Sequence, residues 1–209
     1  MISKRSLVRR TTAVAAAGAA ALVLAACGGN GNSSAGHDGH TATSPSASGP
    51  AALGQHNAAD VAFAKGMIPH HRQAVEMAGL APSRAESAEV KKLAEDIKKA
   101  QDPEIKTMSG WLASWGEEAP AEGAMDHSKH GGGGGMMSAG EMDKLKNSSG
   151  KAFDTAFMEM MIKHHEGAVE MAEAEQADGA YAPAKQMAGA IITSQTAEIT
   201  QMNKLLGRN

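Results

Sequence analysis

One histidine-containing motif occurs twice in the chain. Residues 60–78 read DVAFAKGMIPHHRQAVEMA, and residues 154–172 read DTAFMEMMIKHHEGAVEMA. Twelve of these nineteen positions are identical, at an offset of 94 residues. The identical positions include both adjacent histidines and the methionine on either side of them. Imidazole nitrogen and thioether sulfur are both metal ligands, so the repeated motif indicates a metal site.

The spacing of the motif places sulfur and imidazole on one face of a helix. Met67 precedes His70 by three residues, and Met77 follows it by seven. Residues at these spacings lie on the same side of an α-helix. A single histidine in such a stripe would usually fill the core, whereas the repeated pair with its methionines favours a ligand role. The candidate ligands are Met67, His70, His71, Met77, Met161, His164, His165 and Met171.

The ligand types favour copper over iron and zinc. A di-iron carboxylate bundle needs a glutamate three residues before each histidine and one from each of the other helices. In this chain the residue three positions before the first histidine of each pair is a methionine, Met67 or Met161. Glu104, Glu159 and Glu198 could still supply some carboxylates. Zinc held by four histidines would leave the repeated methionines unexplained. Thioether with imidazole suits Cu(I), and the histidines also make Cu(II) accessible.

Two further tracts of histidine and methionine lie outside the repeats. They comprise His37 with His40, and Met125 with His127 and His130. Short tracts of this kind in low-complexity sequence are candidates for metal binding. The Met-Asp-His-Ser run resembles the loops of bacterial copper-resistance proteins. We expect secondary copper capture there, with a merely polar linker as the alternative.

Residues 1–27 predict an export signal with lipid attachment. A basic start precedes an apolar run from Thr11 to Ala26, which is too short to span a bilayer comfortably. The run ends in Leu-Ala-Ala-Cys, which resembles a bacterial lipobox in which the Cys27 thiol is lipidated. An ordinary signal peptide that contains a cysteine is the alternative. We therefore expect an exported protein held by lipid at the outer face of the cell membrane.

The composition excludes several other kinds of site and partner. Cys27 is the single cysteine, so its lipidation would leave no thiol for a disulfide or a thiolate metal site. The formal net charge is -3 and the basic residues form no stripe, which argues against a nucleic-acid partner. Residues 28–56 contain almost no large apolar side chains, and we expect them to form a disordered tether.

Each motif belongs to a longer repeat that has the pattern of a helical hairpin. Apolar residues recur at three- and four-residue steps through each half. The 94-residue offset also relates the partner helices, where Ala94, Ile97, Gln101, Glu104, Ile105 and Met108 match Ala188, Ile191, Gln195, Glu198, Ile199 and Met202. One hairpin cannot bury its apolar stripe alone. Residues 57–116 and 139–207 therefore predict an all-α four-helix bundle with pseudo-two-fold symmetry.

Local signals predict where the helices begin and end. Ser83 with Glu86, and Ser138 with Glu141, have the spacing of capping boxes and predict helix starts. Residues 148–150, Ser-Ser-Gly, predict the end of a short leading helix in the second half.

Two further features predict a structural difference between the halves and a linker that separates them. Pro69 predicts a kink or a shifted start in the first helix, where the second half has Lys163. Residues 117–138, rich in Gly, His and Met, predict a mobile linker between the repeats.

Met-Ile-x-His-His followed by Ala-Val-Glu-Met-Ala, twice behind an export signal, resembles the DUF305 family. The resemblance covers roughly residues 56–207. It implies a ferritin-like four-helix bundle and extracytoplasmic copper binding through the eight candidate ligands, a property known for some members. It implies no particular reaction. The halves differ at Gly66 and Met160, and at Pro69 and Lys163, so the sequence does not require two equivalent sites.

These features predict a copper-binding lipoprotein that sequesters copper or hands it over outside the membrane. We expect a binding protein and not an enzyme. The first alternative is a ferritin-like oxidase acting on Cu(I) or Fe(II), and the second is a structural or partner-binding bundle whose histidines and methionines fill the core. The expected partners are copper ions, the membrane, and a copper-handling protein or a second copy of the chain.

Overall fold

A computed structural model describes residues 54–121 and 134–208 of the chain. These residues contain five α-helices and no strand: α1 (Ala58–Arg84), α2 (Ala88–Ser114), α3 (Ala139–Lys146), α4 (Gly150–Asp178) and α5 (Ala182–Leu205). The predicted all-α fold is confirmed, with four long helices and a short α3.

Several predicted features lie outside the described residues. They are the signal, most of the tether and the residues Cys27, His37, His40, Met125, His127 and His130. Within the described part of the chain, no helix is long and apolar enough to cross a membrane.

The long helices pack as two hairpins joined through their first helices. α1 packs against α2, α4 packs against α5, and α1 and α4 pack against each other. The side-chain amide of Asn57, at the start of α1, donates to the carbonyl of Asp178, at the end of α4, over 2.8 Å. The middles of the two helices meet at His70 and His164. α1 and α4 are therefore antiparallel, and the predicted candidate ligands on them are brought face to face.

The apolar core consists of two clusters at opposite ends of the bundle. The Phe63 cluster comprises Phe63, Ala64, Met67, Ile68, Met108, Leu112, Ala168, Ala172, Ala184, Ala188 and Ile191. The Phe157 cluster contains the repeat equivalents of most of these residues, among them Phe157, Met158, Met161, Ile162, Met202, Ala74, Ala78, Val90, Ala94 and Ile97. Burial of each large apolar side chain stabilises the fold by about 1.5–3 kcal/mol. On α1 and on α4 the His-His pair lies between the two clusters.

Two aspartates tie the hairpins together through reciprocal hydrogen bonds. The carboxylate of Asp154 on α4 accepts from the backbone N–H groups of Glu86 and Ser87, at 3.1 and 2.8 Å, in the turn of the first hairpin. The carboxylate of Asp60 on α1 accepts from the N–H groups of Ala180 and Tyr181, at 3.2 and 2.9 Å, in the turn of the second. Each hairpin therefore completes the turn of the other.

The predicted helix start at Ser83 is wrong. α1 continues through Pro82 to Arg84, and the Ser83 hydroxyl donates to the carbonyl of Leu80. The N-cap of α2 is Ser87, whose hydroxyl accepts from the N–H groups of Glu89 and Val90. The cause is tertiary, because the N–H groups just before α2 are fixed by the carboxylate of Asp154.

The predicted capping box at Ser138 and the predicted break before α4 agree with the structure. Ser138 and Glu141 form a capping box at the start of α3. The break at residues 148–150 is present, with Ser149 as the N-cap of α4. α1 contains Pro69 and still begins at its N-cap Asn57, so the proline does not shift the helix start.

Candidate metal centre

The four repeated histidines form a buried polar layer between the two apolar clusters. His71, His164 and His165 are completely buried, and His70 is 2% exposed. Adjacent residues on a helix point about 100° apart, so the two histidines of each pair face different neighbouring helices. His70 and His164 face each other across the contact between α1 and α4, whereas His71 faces α2 and His165 faces α5.

His70 and His164 are in direct contact at the pseudo-two-fold axis. Their ring centroids are 3.7 Å apart, and the ring planes are inclined by 40°. The ring of His165 lies 6.4 Å from that of His164, centroid to centroid. The repeat thus brings imidazoles from both halves of the chain into one contact.

Burial keeps the central imidazoles uncharged. Desolvation lowers the pKa of His70 to about 3, the hydrogen bond to the Gly134 carbonyl acting in the opposite direction and the charges of His71 and His165 lowering it further. Desolvation, followed by the charge of His70, holds the pKa of His164 well below its ordinary value. At neutral pH both rings therefore carry a nitrogen lone pair, which is the form that binds a metal ion.

The outer histidines each bind a glutamate of the partner helix. Nε2 of His71 lies 2.7 Å from Oε2 of Glu104, and Nε2 of His165 lies 2.6 Å from Oε2 of Glu198. Glu104 and Glu198 are repeat equivalents, because the 94-residue offset relates them. The sequence left open whether His71 and His165 face the core or the bundle edge, and the structure shows that they are buried and face a neighbouring helix.

The end of the linker crosses the bundle at the central histidines. The carbonyl of Gly134 accepts from Nε2 of His70 at 2.7 Å. Three residues on, the Gln73 side chain bonds both backbone groups of Met137, at 2.9 and 2.7 Å. A Cβ at Gly167 would overlap the Gly134 carbonyl, so the linker packs directly against the backbone of α4. Residues 134–137, hereafter the strap, are therefore packed, although the sequence predicted a mobile linker over residues 117–138.

The layer contains a concentration of buried polar atoms that have no hydrogen-bond partner among the described residues. They are Nδ1 of His70, His71 and His165, both ring nitrogens of His164, and Oε1 of Gln101 and Gln195. The backbone carbonyl of His70 lies near the ring of His164 but outside hydrogen-bond geometry. An unpartnered buried polar group costs about 1–3 kcal/mol. A bound metal ion would supply the missing partner, so the residues present fit a metal with nitrogen ligands.

The four candidate methionines flank this layer in two pairs. Met67 lies in the Phe63 cluster, against which Met171 packs. Met77 and Met161 lie in the Phe157 cluster. Each cluster thus holds the methionine before one His-His pair and the methionine after the other. Among the described residues, no group of three or more His, Cys, Asp or Glu side chains is arranged to hold a metal ion.

Sequence reasoning missed two buried glutamines and the strap. Gln101 and Gln195 are 2% and 3% exposed and lie one helical turn before the glutamates that bind the outer histidines. Their identity at the 94-residue offset was the available signal, because a polar residue repeated on an apolar stripe marks a polar position in the core. Nothing in the sequence indicates that Gln73 and its repeat equivalent Gly167 both hold the strap.

The sequence profile of DUF305, described as a domain of unknown function, matches residues 60–206. The chain belongs to the DUF305 family. No curated protein sequence is significantly similar to it.

Solved DUF305 structures share this fold over almost their whole length. A candidate secreted protein from Streptomyces coelicolor is 34% identical, with a TM-score of 0.64 over 71% of this chain and 92% of the other. A DUF305 fragment from Deinococcus radiodurans is 29% identical, with a TM-score of 0.64 over 73% and 98%. CopM in its Cu(II)-bound form is 37% identical, with a TM-score of 0.61 over 70% and 94%. CopM has also been crystallised with Cu(I) and with silver.

Proposed function

We propose that this DUF305 protein binds copper at the histidine layer and either sequesters it or hands it over outside the membrane. The observation that carries the proposal is the contact between His70 and His164, whose rings are uncharged, buried and have unpartnered nitrogens. The likeness to CopM, which binds copper and silver, supports the choice of metal.

The ligand set suits copper in its reduced state. The eight proposed ligands are Met67, His70, His71, Met77, Met161, His164, His165 and Met171. Soft thioether sulfur favours Cu(I), while imidazole nitrogen also accepts Cu(II). Both methionine pairs lie in the two clusters that border the histidine layer, so sulfur is present on either side of the imidazoles.

The mode of attachment is part of the proposal. Lipidation at Cys27 would anchor the bundle to the outer face of the membrane through the tether of residues 28–56. His37, His40, Met125, His127 and His130 would capture copper from solution. The strap begins four residues after His130 in the sequence and contacts His70 through the Gly134 carbonyl, which we propose as the route from the linker to the layer.

The test is a Cu(I) competition titration of the protein beside a variant in which His70, His71, His164 and His165 are changed to alanine. We expect tight binding that is lost in the variant. Equal binding by both would move the copper to the linker and tether tracts, and absence of binding by the wild type would refute the proposal. His56→Ala is the matched control, because this exposed histidine stacks on Trp115 away from the layer. Replacement of the four histidines by leucine, with circular dichroism, separates loss of ligands from loss of fold.

We propose a binding role without catalysis. The oxidase alternative requires redox cycling at an open coordination position, so incubation with Cu(I) or Fe(II) and dioxygen should show no turnover beyond the metal bound. Sustained oxygen consumption would overturn this part of the proposal.

A further inference from the structure

Two glutamates share a geometry that orients the outer histidines. His71 Nε2 contacts Glu104 Oε2 at 2.7 Å, and His165 Nε2 contacts Glu198 Oε2 at 2.6 Å. The histidines are completely buried, whereas the carboxylate side chains are 21% and 19% exposed. Each imidazole therefore directs Nε2 toward a carboxylate near the surface of the bundle, and its other nitrogen lies away from that carboxylate.

An ionised carboxylate can only accept hydrogen bonds, so Nε2 must carry the proton in each contact. In a neutral imidazole the other nitrogen, Nδ1, then has a free lone pair. Nδ1 of His71 and Nδ1 of His165 are both buried without a partner among the described residues. If the rings were doubly protonated, two N–H donors would be buried without acceptors.

The same arrangement occurs in both halves of a chain whose halves differ elsewhere. The residues just before and just after the histidine pairs, Pro69 and Arg72, correspond to Lys163 and Glu166 in the second copy. The histidine and glutamate are unchanged, and their separation is 33 residues in each half. A contact required for bundle packing alone would not need an unpartnered nitrogen at the same place twice.

We infer that Glu104 and Glu198 are positioning residues of the copper site: each holds its histidine in the Nε2–H tautomer and presents Nδ1 as the ligand atom. The inference rests on the proposed function. A carboxylate on the far nitrogen of a metal-binding histidine fixes the ring and raises its basicity, and its loss typically reduces metal affinity by about 10–100-fold.

The first test concerns the metal-free protein. Long-range proton–nitrogen NMR correlations on histidine-labelled protein report the tautomer of each ring. We expect protonated Nε2 and unprotonated Nδ1 for His71 and His165, and a loss of this preference in Glu104→Ala and Glu198→Ala. Rings protonated on Nδ1 in the wild type would overturn the inference, whatever the affinity for copper.

The second test measures Cu(I) affinity in the same variants. The double alanine variant should bind about 10–100-fold more weakly, whereas Glu104→Gln with Glu198→Gln should retain most of the affinity because the amide oxygen still accepts from Nε2. Glu95→Ala is the matched control, since Glu95 lies on the exposed face of α2 and pairs with Lys99. Unchanged affinity in a folded alanine variant would overturn the positioning role and leave copper binding intact. Failure of the wild type to bind copper would instead overturn the proposed function, and the positioning role with it.

Discussion

Glu175 is a buried carboxyl group in a place where the first half of the chain has alanine. It is 1% exposed, and its repeat equivalent is Ala81. Burial, followed by the neighbouring carboxylate of Asp60, raises the pKa of Glu175 to about 8. Asp60 has its pKa lowered, because hydrogen bonds from the backbone N–H groups of residues such as Asn57 and Tyr181 outweigh the effect of its burial. Both oxygens of the Glu175 carboxyl group are buried without a hydrogen-bond partner among the described residues, so burial favours its protonated form.

This pair predicts a loss of stability in mildly alkaline solution. The folded protein holds a proton on Glu175 between its ordinary pKa of 4.5 and the raised value of about 8, so the free energy of unfolding should fall as the pH rises through this interval. Glu175→Gln keeps the size and polarity of the side chain and removes its titration. We expect it to stabilise the protein at pH 8 by about 1–3 kcal/mol and to have little effect at pH 4.5.

Denaturant unfolding across this pH range measures the effect. Glu173→Gln, at an exposed position of the same helix, is the control and should leave the pH dependence unchanged. If the free energy of unfolding of the wild type and of Glu175→Gln changed by the same amount between pH 5 and 8, the prediction would be contradicted.

The sequence predicted which residue types meet in the core but not their orientations. The spacing of Met67, His70 and Met77 predicted a shared helix face, and all three are buried. The direction of His71 could not be derived, because it depends on where Glu104 lies on a neighbouring helix. Spacing along one helix carries no information about the rotation of the next.

The strap is a short element whose position depends on two residues that the repeat places at equivalent sites. Gln73 binds the backbone of Met137, and Gly167 leaves room for the Gly134 carbonyl. The strap also includes Gly135, whose φ of 75° favours glycine. One half of the bundle thus binds the strap by hydrogen bonds, and the other half leaves room for it because Gly167 has no side chain.

Gly167→Ala should release the strap without unfolding α4. The added Cβ would overlap the Gly134 carbonyl, while alanine in a helix is favoured over glycine by about 0.5–1 kcal/mol. We therefore expect faster hydrogen exchange at the Met137 amide, with the helix content retained. Gly110→Ala is the control, because a Cβ there meets nothing within 4 Å. Unchanged protection of Met137 would show that the strap does not need this space.

The helix boundaries show where local sequence is sufficient and where it is not. The capping box of Ser138 and Glu141 forms as predicted, because all of its partners are local. Ser83 and Glu86 have the same spacing, yet α1 runs through Ser83 to Arg84. The deciding contact comes from Asp154, which is 68 residues from Glu86 in the chain. No local pattern can include a partner at that distance.

At the scale of the whole molecule, the bundle was the most predictable feature. The 94-residue offset predicted two equivalent hairpins, and the apolar stripe of each required the other for burial. The division of the core into the Phe63 and Phe157 clusters follows from the antiparallel contact of α1 with α4, which the sequence does not specify.

The reciprocal hydrogen bonds of the two aspartates predict that a substitution in one hairpin destabilises the turn of the other. Asp154→Ala removes the acceptor of the Glu86 and Ser87 N–H groups, and hydrogen bonds to charged groups contribute about 1.5–3 kcal/mol each at most. We expect a loss of stability of about 2 kcal/mol and faster hydrogen exchange at these two amides. Asp102→Ala, at an exposed site on α2, should change neither quantity. Protection that persists at Glu86 and Ser87 would contradict the assignment.

These crossed contacts have the form of an isologous interface, in which the same patch of two subunits meets itself around a two-fold axis. In this protein both subunits belong to one polypeptide, and the residues between them act as a covalent link. The histidine contact lies on that axis, so it would exist in a homodimer of single hairpins as well as in the fused chain. Fusion allows the two patches to differ. The strap that crosses the axis, the extra carboxyl group of Glu175 and the placement of Gly167 opposite Gln73 are differences that a symmetric dimer of identical chains could not have.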